Sequence, residues 1–133
     1  MGEEGKFRRR LKKFLVDASI CDENRKLFGE FFDKQEYKLK RVNSLNSLDS
    51  ACYKTLYTYL VRFANVNKWF ENKPLIDITE QDFRRVYDGL EDGTILTCKG
   101  TPHKDRRSYY NKVFKSKLFE MAGKHEMVLK VME

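Results

Sequence analysis

The 133-residue chain is 41% hydrophobic, 14% aromatic and 35% charged, with a formal net charge of +7. Two Pro and seven Gly exclude a collagen-like or loop-dominated chain, and the length suits one domain with a real core. No apolar run approaches the ~20 residues a membrane helix needs, and three widely spaced Cys without a C-x-x-C pair fit a reducing, cytoplasmic setting.

In chain order, residues 1–19 read as a basic N-terminal helix or arm, helical over Lys6–Asp17. Phe7, Leu11, Phe14 and Leu15 make its apolar stripe. Docking on the domain or serving as a phosphate-binding arm is preferred to lying on a membrane surface. The next helix begins near Asp22, a candidate N-cap, and runs to about Leu39, burying Leu27, Phe28, Phe31 and Phe32. The Asn/Ser-rich stretch 41–50 is a loop whose end offers Ser47 or Asp49 as the next N-cap.

Residues Ser50 to Phe70 form the strongest pattern, one long helix with an aromatic and aliphatic stripe. Leu56, Tyr59, Leu60, Phe63, Val66 and Phe70 keep the i, i+3, i+4, i+7 rule, and Asn67 alone breaks it. Lys54, Arg62 and Lys68 fall off that stripe. Asn72, Lys73 and Pro74 stop the helix. Thr79 caps a third main helix whose first turn holds Glu80 and Asp82, where carboxylates suit the helix dipole. Its apolar face is Phe83, Val86, Tyr87 and Leu90, and Gly89 and Gly93 bracket its end. Residues 92–103 are a loop or short hairpin-like excursion. A last helix spans about Lys104 to Met121, with Tyr110, Val113, Phe114, Leu118 and Met121 facing the core, and Gly123 ends it or marks a bend. Residues 124–133 extend that helix, form a short strand or begin a linker. The expected fold is all-α: a small bundle of four main helices with an extra basic helix at the N-terminus.

Charge is uneven, with net −4 over 74–95 against +5 over 96–133. A basic chain is drawn to nucleic acid, an anionic membrane or an acidic protein. Catalytic signatures are lacking: there is no Walker loop, no G-x-G-x-x-G, no nucleophile elbow and no H-E-x-x-H. Cys98, His103 and His125 lack zinc spacing. No cofactor, metal or enzymatic activity is expected.

The run YKTLYTYLVRFANVNKWFENKPLIDITEQDFRRVYDGLE, followed by HKDRRSYYNKVFKSKLFEMAG, resembles the N-terminal core-binding domain of tyrosine recombinases, the phage-integrase family, and its archaeal branch in particular. Matching features are the Tyr/Leu/Phe-rich helix after Ser50 and the step made by Ile76, Ile78, Thr79 and Asp82. A basic helix opening at Arg106, Arg107 and Ser108, with Phe114 and Phe119 later, completes the set. The resemblance covers about residues 20–123 and implies a SAM-like core-binding domain. It also implies that 124–133 start a linker toward a catalytic domain absent from this chain. The family's Arg, His-x-x-Arg and Tyr nucleophile would lie in that half, so Tyr53, Tyr57, Tyr59, Tyr109 and Tyr110 are not nucleophile candidates.

The implied function is clamping double-stranded DNA during integration or recombination, through two helix starts that approach the duplex together. Carried over, the first start gives Ser50, Lys54, Thr55 and Arg62. The second gives Lys99, His103, Lys104, Arg106, Arg107, Tyr109 and Lys112. The acidic segment 77–92 is expected to face away from DNA, and the isolated chain to be a monomer that assembles on DNA. Two other readings remain: a helical interaction module holding an acidic partner, and a single-strand or RNA binder with surface aromatics. Trp69 is expected to be at least partly buried.

Overall fold

The computed structural model describes residues 2–42, 49–104 and 106–133. Among these the fold is all-α, a small bundle. Its elements are α1 (Glu3–Leu15), α2 (Asp22–Val42), α3 (Ser50–Trp69), a 3₁₀ turn (Leu75–Asp77), α4 (Glu80–Glu91), α5 (Arg106–Tyr109), a π-helical turn (Tyr110–Phe114), α6 (Lys117–Met121) and α7 (His125–Met132).

Helix α1 starts earlier than its apolar stripe predicts, because Glu3 and Glu4 occupy the first turn and Lys12 and Lys13 the last, both favourable to the dipole. It is built into the core. Phe7 is fully buried, with its ring 5.7 Å from Phe32 and 6.0 Å from Tyr53. The Phe14 ring lies tilted 5.2 Å from Phe28, which stacks 5.3 Å from Phe63 of α3. Helix α3 then joins this cluster to a second one, in which Phe83 meets Phe114 at 5.1 Å, and Phe119 lies 5.4 Å from Phe114. Helix α3 keeps the predicted inner stripe, with Leu56, Leu60, Phe63, Val66 and Phe70 buried. Asp49 is its N-cap, accepting from the Cys52 N–H; Ser47 lies outside the described residues.

The polar break in the stripe has a structural reason. Asn67 accepts from the Asn24 amide at 2.9 Å and donates to Asn72 at 3.2 Å. Asn24 also donates to the Lys73 carbonyl at 2.9 Å and accepts from the Leu75 N–H at 2.8 Å. Asn72 in turn accepts from the Cys21 N–H at 2.7 Å. These three buried or half-buried amides satisfy the backbone where α3 ends and the chain reverses. Glu71 and Asn72 take left-handed φ values of 56° and 60° to make that reversal.

Thr79 and Asp82 form a reciprocal capping box at the start of α4. Gly89 is buried on α4 because the following excursion presses on it; a Cβ there would lie 2.8 Å from Cγ1 of Ile95. That excursion closes with a single antiparallel bridge between Leu96 and Pro102.

The expected last helix is not continuous. It runs as α5 and the π turn, breaks at Lys115, and restarts as α6, with the Ser116 hydroxyl capping the Leu118 N–H. Residues His125–Met132, open between helix, strand and linker in the sequence, form α7. It packs on α4, burying Val128 and pairing Lys130 with Glu80 at 3.1 Å.

Candidate nucleic-acid interface

Two basic stripes lie side by side on α1 and α3. On α1, the burial of Phe7 and Phe14 fixes the helix rotation and leaves Lys6, Arg9, Arg10 and Lys13 along one flank, at i, i+3, i+4 and i+7. These four line a depression of about 160 Å³ whose remaining wall is Tyr57 of α3. The Lys6 ammonium sits 5.1 Å from the Tyr57 ring centre. On α3, Lys54, Val61 and Lys68 recur every seven residues on the exposed face, over ~21 Å. A second, larger depression of about 530 Å³ continues the strip. Phe14, Ile20 and Ala64 contribute apolar wall, Arg10, Lys13 and Lys68 the cations, and Asp17 and Glu71 the acids. Arg8 is turned the other way, held 2.9 Å from Glu36 of α2.

The expected contact residues separate into three groups. Thr55, Arg62 and Lys112 come together with Thr58 and Tyr59 around one small pocket. Ser50, Lys54, Lys99, Lys104 and Arg107 are exposed, and Arg106 is half-buried with its Nε 3.4 Å from Glu91. His103 and Tyr109 are instead buried, at 8% and 2% exposure. Their rings lie 5.2 and 4.7 Å from Trp69, and the Tyr109 hydroxyl accepts from Asn65 at 2.8 Å. Expected as contacts with DNA, these two serve packing, because an edge-to-face aromatic cluster removes them from the surface. Trp69 is half-buried within it.

The two helix starts expected to approach a duplex together do not sit side by side. Tyr109 meets Asn65 and Trp69, whereas Lys112 shares its pocket with Thr55, Thr58 and Arg62. The C-terminal segment therefore runs against the direction of α3, and its start lies beside the end of α3. Lys54 is eleven residues from Asn65, roughly 16 Å along the axis. Nor is either start an open anion site. The Asp49 carboxylate already accepts the Cys52 N–H, which holds it below the usual carboxylate range and sets a negative charge at that end. Helix α5 has only four residues.

The first-turn acids of α4 are tied up locally. Glu80 meets Arg84 and Lys130, each at 3.1 Å, and Asp82 meets Lys73 at 2.8 Å. Hydrogen bonds from Lys73 and from the Thr79 N–H pull the Asp82 carboxyl down to about 2.

Sequence reasoning allowed the N-terminal segment as a phosphate-binding arm but named none of Lys6, Arg9, Arg10, Lys13 and Lys68 as a contact. Their signal is present: basic spacing of three, four and seven on a helix whose apolar stripe faces the other way. Among the described residues no group of three or more His, Cys, Asp or Glu gathers closely enough for a metal, and no helix is long and apolar enough to cross a membrane. No family model matches the chain, and no curated protein or solved structure matches it either.

Proposed function

We propose that this protein binds double-stranded DNA through the cationic strip formed by α1 and α3. This is the role of the core-binding domain in the tyrosine recombinases that the sequence resembles. The observation that carries the reading is the row Lys6, Arg9, Arg10 and Lys13 on α1, set against the exposed Lys54 and Lys68 of α3. Six cations along ~21 Å face a polyanion that presents one charge per ~1.7 Å of axis. Phosphates reward such a row without base contacts, so affinity would be salt-sensitive and sequence preference slight.

The test is fluorescence anisotropy with a labelled duplex between about 50 and 300 mM salt. About six phosphate contacts give a slope of log K against log salt near −5. Replacing Lys6, Arg9, Arg10 and Lys13 together by Gln cuts that slope by more than half. A slope near zero in the unaltered protein overturns the reading and leaves the module for an acidic protein partner as its replacement.

A further inference from the structure

The small pocket between α3 and the π turn is distinct in construction from the open strip. It has a volume of about 150 Å³ and is lined by Thr55, Thr58, Tyr59, Arg62 and Lys112. At ~30 Å³ per water in the liquid, that equals about five waters, enough for a tetrahedral oxyanion. Its two charged walls are both cations, and neither has an ion pair among the described residues.

The Arg62 side chain is held in place before any ligand arrives. Its guanidinium carbon lies 5.8 Å from the centre of the Tyr109 ring, and Tyr109 is fixed in turn by Asn65. Yet the Arg62 Nε is buried and has no hydrogen-bond acceptor. A desolvated, charged N–H without an acceptor is unfavourable by an amount that an arriving anion would recover. Lys112 is delivered by the π turn. That wider turn keeps Tyr110, Val113 and Phe114 buried while Lys112 stays exposed at the pocket. The threonine hydroxyls do not compete for the role. Thr55 donates to the Ala51 carbonyl at 3.2 Å and Thr58 to the Lys54 carbonyl at 3.0 Å, so the charged donors left for an anion are Arg62 and Lys112, with the Tyr59 hydroxyl beside them.

We infer that Arg62 and Lys112 form a seat for a single phosphate group, the guanidinium supplying directed donors and the ammonium a mobile point charge. That the phosphate belongs to a DNA backbone rests on the function proposed above; free phosphate has the same chemistry.

The experiment follows the Arg62 Nε–H resonance of ¹⁵N-labelled protein during titration with inorganic phosphate and, separately, with duplex DNA. Duplex affinity is measured in parallel for Lys112→Gln, an exposed position where folding is not at stake, and for Arg62→Lys, which keeps charge and loses the fork. Both ligands should move the Arg62 signal. Lys112→Gln should weaken duplex binding at least about threefold and remove about one from the salt slope, and Arg62→Lys should weaken it while leaving the slope unchanged. If phosphate moves Arg62 and duplex does not bind at all, the seat stands for free phosphate and the DNA reading falls. If duplex binds while Arg62 stays unmoved and Lys112→Gln changes nothing, the seat falls and the DNA reading stands.

Discussion

Replacing Asn24 by Ala removes the centre of the buried amide network. The amide donates to Asn67 and to the Lys73 carbonyl and accepts from the Leu75 N–H, at 2.9, 2.9 and 2.8 Å. Each bond is worth about 1 kcal/mol net, and truncation strands partners, including the N–H of the fully buried Leu75. The expected loss is therefore about 3 kcal/mol, against the 5–15 kcal/mol that domains usually have, roughly. For a chain of this size that lowers Tm by roughly 10 °C. Thermal and urea unfolding followed by far-ultraviolet circular dichroism read the change directly. Asn24→Asp makes the test sharper. A carboxylate can still accept from Leu75 but cannot donate to Asn67 or Lys73, so it should be no more stable than Asn24→Ala. A loss below about 1 kcal/mol for Ala, or an Asp variant as stable as the parent, refutes the network as the reason Asn67 interrupts the stripe.

Three further outcomes are expected. Asp82 is pulled down to about 2 from an ordinary 3.8, so its stabilising effect is complete above about pH 5 and is lost as pH falls through about 2. Because the site is partly open to solvent, Asp82→Asn should remove only about 1 kcal/mol of the urea stability at neutral pH and flatten its acid limb. Gly89→Ala should destabilise by about 1–2 kcal/mol despite Ala's helix preference, since its Cβ meets Ile95. A stabilised variant in the same unfolding assay would show that the excursion yields freely. Phe7→Ala should cost about 3–4 kcal/mol, because α1 is core; a near-neutral result would mean that α1 is an appendage.

Much of this fold was legible because its signals are local. Thr79 and Asp82 announce α4, and the apolar spacing of α2 and α3 sets their inner faces. The break in the last helix was missed, although its trace is visible. The buried pairs Val113–Phe114 and Leu118–Phe119 are five residues apart, a step that rotates a straight α-helix stripe by ~140° off its face. Ser116, between them, is a cap residue. Burial of His103 left no such trace, because Trp69 and Tyr109 reach it across 34 and six positions without periodicity. The site was half legible. Composition gives the positive charge, but which cations share a surface depends on the helix rotation that Phe7 and Phe14 impose. The two helix starts lie apart along α3 because helix direction is not written in spacing.

The double duty of α1 has a consequence for the free molecule. Thirteen residues carry six cations and also close the aromatic core, so self-repulsion strains the very element that seals the interior. Counter-ions or any tightly bound polyanion relieve that strain, which makes folding and ligand capture two faces of one equilibrium. Trimming this segment would therefore erase charge and integrity together, and only side-chain neutralisation can tell the two losses apart.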